Sequence, residues 1–330
     1  MIYFFKTTTS LQFLSLLILA VLLNLNLWVI PPTAIPAEGA APLGRLVVQA
    51  LQNYPMHGLW VLYVLGLCLQ AWLIQILGNR FNLYKKTSIL PAFCYLVLTG
   101  LINTYMFLSP AYFMVFVVIW LLFLIFGNLQ THLLAPAFDV GFAVGLGILI
   151  YAPALPLALF VFVALTIVRT FTWRVWMVAL FGLLIPHFWV ATWYFATDSL
   201  HLLLSHYGGE LIATSPVPSL SSQNEVWIKL GLLTVLTLWT IALLRTEFLK
   251  MPVQTRRYFN VILYAVSFAL YAFLVLPDAA WHPASLFLVP FSLFLAYLYT
   301  ETSNLWYSES LNVLILAVLF YYQYVSFLPF

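Results

Sequence analysis

Arg45 is one of the few side chains that could hold an anionic substrate in this apolar chain, which has 12 Lys and Arg and 9 Asp and Glu among 330 residues. Its guanidinium offers parallel N–H donors, a fork that fits the oxygens of a phosphate or pyrophosphate. Arg45 therefore predicts contact with a lipid-linked phosphate. Pairing with Glu38, or with lipid headgroups, explains the same residue equally well.

A second group of polar residues, Asp198, His201, His206 and Glu210, lies in the longest polar stretch, residues 196–225. Carboxylates and imidazoles are common metal ligands, and Asp198 and His201 would share one face of a helix. His201 and His206 are poorly spaced for a helical pair, and the group matches no dedicated metal motif. We therefore predict no metal, and plain loop solvation stays open beside a role in substrate binding.

Motifs for nucleotide or zinc chemistry are absent from the sequence: it contains no P-loop, no H-E-x-x-H and no dinucleotide fingerprint. Cys68 and Cys94 both lie inside apolar runs and support neither a disulfide framework nor a zinc cluster. The net charge of +3 is spread over separate turns and gives no reason to expect nucleic acid. The sequence alone identifies neither a cofactor nor a protein partner, so both stay unknown.

The composition places these polar residues on a membrane protein. The chain is 65% hydrophobic and 6% charged, whereas a water-soluble domain carries about 25% charged residues. The apolar runs are continuous and do not alternate with polar residues as outer-membrane strands do. Because backbone groups in lipid must be satisfied internally, we predict an all-α polytopic transmembrane bundle with the lipid bilayer as its surroundings.

Basic residues predict how this bundle is oriented. Ten of the twelve Lys and Arg lie at the N-terminus or in alternate gaps between apolar runs, which by the positive-inside rule face the cytoplasm. The pattern predicts about eleven spans, with the N-terminus inside and the C-terminus outside. The predicted spans are 11–30, 57–77, 88–107, 112–127, 138–151, 155–168, 175–195, 226–244, 259–276, 285–299 and 311–328.

Three further local features are predicted near these spans. Residues 41–52 carry apolar side chains at helical spacing and predict an amphipathic helix in the outer interface. The runs 138–151 and 155–168 are each too short for a core about 30 Å thick, so they form two short spans or one re-entrant hairpin. Asp139 is expected to cap the start of the first.

The order of segments up to residue 198 resembles the membrane core of the GT-C superfamily of polyprenyl-phosphate-sugar glycosyltransferases. The residues that carry the resemblance are an outer loop with an interfacial helix, the Ser109-Pro110 turn, the Gly141-x-x-x-Gly145-Leu146 helix, a short span and the basic turn at Arg169. The resemblance implies a GT-C-like module over residues 1–198. For the rest of the chain, the polar stretch and the apolar runs predict an outer loop over 199–225 and a C-terminal bundle over 226–330.

Two other parts of the sequence resemble an uncharacterised family of bacterial integral membrane proteins. They are residues 168–176 followed by Gly182 to Pro186, and Asn79-Arg80-Phe81 followed by Leu90-Pro91-Ala92. That family has no assigned activity. The likeness implies a multi-pass protein of the bacterial inner membrane.

The GT-C resemblance also implies a role for Glu38, the only acid in the first outer loop. There a carboxylate can take the proton of an acceptor hydroxyl as it attacks a polyprenyl-phosphate-linked sugar. Arg45, Asp198, His201 and Glu210 would then bind substrate around Glu38 in one cavity that opens towards lipid. The alternative is a non-enzymatic scaffold or transporter subunit of an envelope assembly or export system.

Overall fold

A computed structural model describes residues 5, 10–85, 87–100, 102, 106–128, 134–168, 172–201, 203, 251–275, 284–301 and 305–324. This part of the chain is helical and contains no strand, so the all-α prediction is confirmed for it. Within these residues, three helices are long and apolar enough to cross a membrane. The count of about eleven spans stays a prediction, and the predicted span 226–244 lies outside the described residues.

The described part of the chain contains twelve α-helices. They are α1 Ser10–Leu23, α2 Leu25–Val29, α3 Pro42–Leu51, α4 Met56–Arg80, α5 Leu90–Gly100, α6 Pro110–Asn128, α7 Ala135–Ile150, α8 Pro156–Val168, α9 Trp173–Ala196, α10 Val253–Val275, α11 Ser285–Glu301 and α12 Leu305–Tyr324.

The centre of the bundle is formed by α5 and α11. Every residue of α5 is buried, and α11 packs against α5, α6 and α10. A polar clamp joins α5 to two further helices, because Tyr95 donates to Gln70 Oε1 (2.5 Å) and Gln70 Nε2 donates to the carbonyl of Tyr112 (3.1 Å). Buried polar groups of membrane helices are satisfied in this way by neighbouring helices.

On one side of this centre, α7 packs along α9 through small residues. Gly141 meets the backbone of Ala179, Gly145 meets Leu183, and Gly182 meets Phe138, each so closely that a Cβ would collide with a carbonyl oxygen. Small residues let two membrane helices approach in this manner. From Gly141 with Ala179 to Gly145 with Leu183 the contact advances by four residues on both helices, so α7 and α9 run parallel.

The short runs after residue 134 form a helical hairpin. A buried 3₁₀ turn, Ala152–Ala154, connects α7 to α8. At 1.5 Å per residue the 16 residues of α7 extend about 24 Å. The structure thus has two short helices that double back, and whether they cross the membrane stays a prediction.

Two local predictions are wrong. The run 11–30 is not one helix, because Asn24 has a non-helical backbone that separates α1 from α2, and its side-chain amide bonds the carbonyl of Ala20 (2.8 Å). Asparagine competes for backbone partners in this way. Asp139 does not cap α7, since the helix already begins at Ala135, next to Pro136.

Candidate functional site

The segment that carries Glu38 is docked on the end of the α7–α8 hairpin. The amide of Ala152 donates to the carbonyl of Gly39 (2.9 Å), and the amide of Ala41 donates to the carbonyl of Ile150 (3.3 Å). These bonds form a short antiparallel bridge between Ala40 and Tyr151. A loop that only connected two helices would need no such attachment, so the position of Glu38 is fixed by the fold.

Gly39 makes this docking possible. Its φ of +69° lies in the left-handed region that favours glycine. A Cβ at this position would also lie 2.5 Å from the ring of Tyr151 and 2.9 Å from Pro153. Any side chain at residue 39 would therefore strain the backbone and push the loop off the hairpin.

Arg45 belongs to the same docked segment. It lies in the first turn of α3, is half-buried, and its Nε donates to the carbonyl of Ala40 (3.0 Å). The neighbouring Gly44 packs against the carbonyl of Ile150 and the ring of Pro110. The base of α3 thus packs between α6 and α7, and the bond to Ala40 ties the guanidinium to the docked segment.

The chemistry available here is that of a carboxylate and a guanidinium on one rigid turn. Glu38 is exposed, so an ionised carboxylate can accept a proton from a bound hydroxyl. Arg45 can direct N–H donors to the oxygens of a phosphate. The structure therefore brings two of the five predicted site residues, Glu38 and Arg45, into one segment.

Asp198 lies at the same end of the bundle as Glu38 but farther along the helix axes. Contacts between α7 and α9 set Ile150 level with residues 188–191, and α9 continues to Ala196. At 1.5 Å per residue, the end of α9 lies about 8 to 12 Å beyond the turn that carries Glu38. Measured along the bundle, the docked segment thus ends short of the last turns of α9 by that distance.

The local role of Asp198 is to end α9. Its φ is +51°, its amide bonds the carbonyl of Phe195 (3.1 Å), and the amide of Ser199 bonds that of Tyr194 (2.9 Å). This is a Schellman termination, which usually places glycine or asparagine at the left-handed position. Asp198 and His201 therefore do not share a helix face, although both are exposed.

Glu210 and His206 lie outside the described residues. Among those that the structure does describe, no three His, Cys, Asp or Glu side chains come together as a metal site would require. The contribution of Tyr151 and Pro153 to the site was not predicted, because only the tertiary structure brings them to residue 39. The Glu38-Gly39 pair was the one local signal of a constrained turn.

Comparisons with protein-family models, with curated proteins and with solved structures found no match for this chain.

Proposed function

We propose that the protein is a multi-pass protein of the bacterial inner membrane that transfers a sugar from a polyprenyl-phosphate carrier on the extracytoplasmic side. The observation that supports this proposal best is the docking of the Glu38 segment on the hairpin turn. Catalytic groups act best when they are held in a fixed position. The turn at Gly39 holds the exposed carboxylate of Glu38 two residues before Ala40, whose carbonyl accepts a hydrogen bond from Arg45.

In the proposed reaction, the hydroxyl of an acceptor attacks the anomeric carbon of the carrier-linked sugar with inversion. The new carbon–oxygen bond forms as the bond from that carbon to the phosphate oxygen breaks, and the polyprenyl phosphate leaves with the bonding electrons. Glu38 receives the hydroxyl proton. Arg45 binds the phosphate and stabilises the negative charge that it gains.

The test is a set of exchanges at Glu38 in the native host, scored for protein level and for surface glycans on a gel. Glu38→Gln removes the charge and keeps the size, and because the side chain is exposed, we expect little effect on stability. Asp139→Asn is the matched control, since Asp139 is also exposed but lies at the opposite end of α7.

The proposal predicts that Glu38→Gln alters the glycans as a deletion does, at normal protein level, while Asp139→Asn does not. If the deletion changes the envelope and both variants resemble wild type, Glu38 is not the catalyst. The scaffold or transporter-subunit alternative then explains the protein better.

A further inference from the structure

A break in the first long apolar run leaves a buried polar group near the end of the bundle where Glu38 lies. Asn24, between α1 and α2, is 1% exposed. Its Nδ2 donates to Ala20, but within the described residues its Oδ1 accepts no hydrogen bond. A buried acceptor without a donor is costly, and interrupted membrane helices often line substrate sites.

Three rings cover this break. Trp60 donates its indole N–H to the backbone carbonyl of Asn24 (2.8 Å). Trp28 meets Trp60 edge to face, with ring centroids 4.9 Å apart, and lies 4.6 Å from the ring of His57. Asn24, Trp28, His57 and Trp60 together are termed the Trp28 cluster.

The rings pack against one another, and two of them remain accessible. Trp28 is 40% exposed and His57 is exposed, while Trp60 is half-buried beneath them. A tryptophan that only anchors a protein at the membrane surface needs one apolar face and one wet edge. An indole packed beside an exposed imidazole offers more, namely an apolar platform with a hydrogen-bonding group at its edge.

This combination fits a sugar ring, whose faces carry C–H groups and whose edge carries hydroxyls. We propose that the Trp28 cluster binds a sugar unit of the glycan substrate, with the C–H face on Trp28 and the hydroxyls directed to His57. Asn24 positions Trp60 through its carbonyl. The inference rests on the proposed function, because it names the substrate of the same reaction as a saccharide.

The position of the cluster indicates how long that saccharide is. Gln70 donates to the backbone carbonyl of Tyr112, and Gly66 lies against the Tyr112 side chain, so Tyr112 lies beside the middle of α4. Pro110 precedes Tyr112 by two residues and contacts the base of α3, and it is therefore level with residues 64–68 of α4. His57 therefore lies about 10 to 16 Å farther out along α4 than the base of α3. A sugar at the cluster is not the one that reacts at Glu38, so the substrate has more than one sugar unit.

The experiment measures binding to the full-length protein in lipid nanodiscs. The probe is the pool of oligosaccharides released by mild acid from the lipid-linked and surface glycans of the native host, observed by saturation-transfer NMR. We compare Trp28→Leu with Trp189→Leu, which removes a tryptophan of α9 that is 68% exposed and lies outside the cluster.

We expect at least one oligosaccharide to bind wild type and the Trp189→Leu protein equally, and to bind at least ten-fold more weakly to the Trp28→Leu protein. His57→Ala, an exposed exchange, replaces Trp28→Leu if the latter does not fold. The inference is overturned if no oligosaccharide binds, if both tryptophan exchanges weaken binding equally, or if phosphocholine displaces the sugar and so identifies an ammonium site.

The same measurement on the Glu38→Gln protein separates this inference from the proposed function. Binding that needs Trp28 and persists in Glu38→Gln supports the sugar site, whatever the glycan profile shows. A Glu38→Gln strain with unchanged glycans contradicts the transferase alone. Loss of binding on exchange of Glu38 would contradict the separation of the two sites.

Discussion

Adding one methyl group between α7 and α9 should destabilise the protein. At Gly145 a Cβ would lie 2.6 Å from the carbonyl oxygen of Leu183 and 3.2 Å from the ring of Pro186. Ordinary contact begins at 3.4 Å, so Gly145→Ala requires the two helices to move apart by about 0.8 Å. The overlap at Gly141 is larger, and it involves the backbone of Ala179.

The expected cost follows from two opposing effects. Overpacking a well-filled contact costs about 1 to 3 kcal/mol, and alanine favours a helix over glycine by about 1 kcal/mol. We therefore expect Gly145→Ala to lower the free energy of unfolding by about 1 kcal/mol, and Gly141→Ala by about 2 kcal/mol or more. Gly127→Ala on α6 is the control, because no atom lies within 4 Å of its added Cβ.

The assay is reversible unfolding in mixed micelles with increasing SDS, followed by circular dichroism. The predicted order of stability is Gly127→Ala at or above wild type, then Gly145→Ala, then Gly141→Ala. If Gly141→Ala unfolds at the same SDS fraction as the control, α7 and α9 do not pack through these glycines. The distance derived from those contacts between the Glu38 segment and the end of α9 would then be wrong.

Three further exchanges test other contacts. Gln70→Leu leaves the buried hydroxyl of Tyr95 without its acceptor and should cost about 1 to 2 kcal/mol in the same assay, with little further loss when Tyr95→Phe is added. Burial raises the pKa of Tyr84 well above its usual value, so the stability of the wild-type protein should fall as the pH rises above about 10. This fall should be less steep in Tyr84→Phe, which also loses the 3.1 Å hydrogen bond to the carbonyl of Leu293. Gly39→Ala should release the docked loop and speed its cleavage in limited proteolysis; an unchanged rate would contradict the strain argued for that turn.

Local sequence patterns predicted the helices better than their breaks. Long apolar runs without alternation favour helices in a membrane protein, so α4, α6 and α9 were foreseen almost to their ends. The break at Asn24 was missed because one asparagine in an apolar run does not by itself end a helix. Asn24 ends the helix here because its side-chain amide donates to the carbonyl of Ala20 and its own carbonyl accepts the indole N–H of Trp60.

The site was predicted only in part, for a physical reason. Glu38 and Arg45 are close in sequence, so their shared segment could be foreseen. The contact of Gly39 with Tyr151 joins residues more than a hundred positions apart, and no local pattern encodes it. Asp198 stood out as a polar residue in a long loop, yet its backbone geometry shows a helix terminator.

The central claim is that Glu38 takes part in the transfer of a carrier-linked sugar, and the most direct test is the level of that carrier. Polyprenyl-phosphate sugars extracted from wild-type, deletion, Glu38→Gln and Asp139→Asn strains would be quantified by mass spectrometry at matched protein levels. The account predicts that one such lipid accumulates equally in the deletion and Glu38→Gln strains and stays at the wild-type level in Asp139→Asn. Wild-type levels in the Glu38→Gln strain, with accumulation in the deletion, would contradict a catalytic Glu38, and no accumulation in either would contradict the transferase.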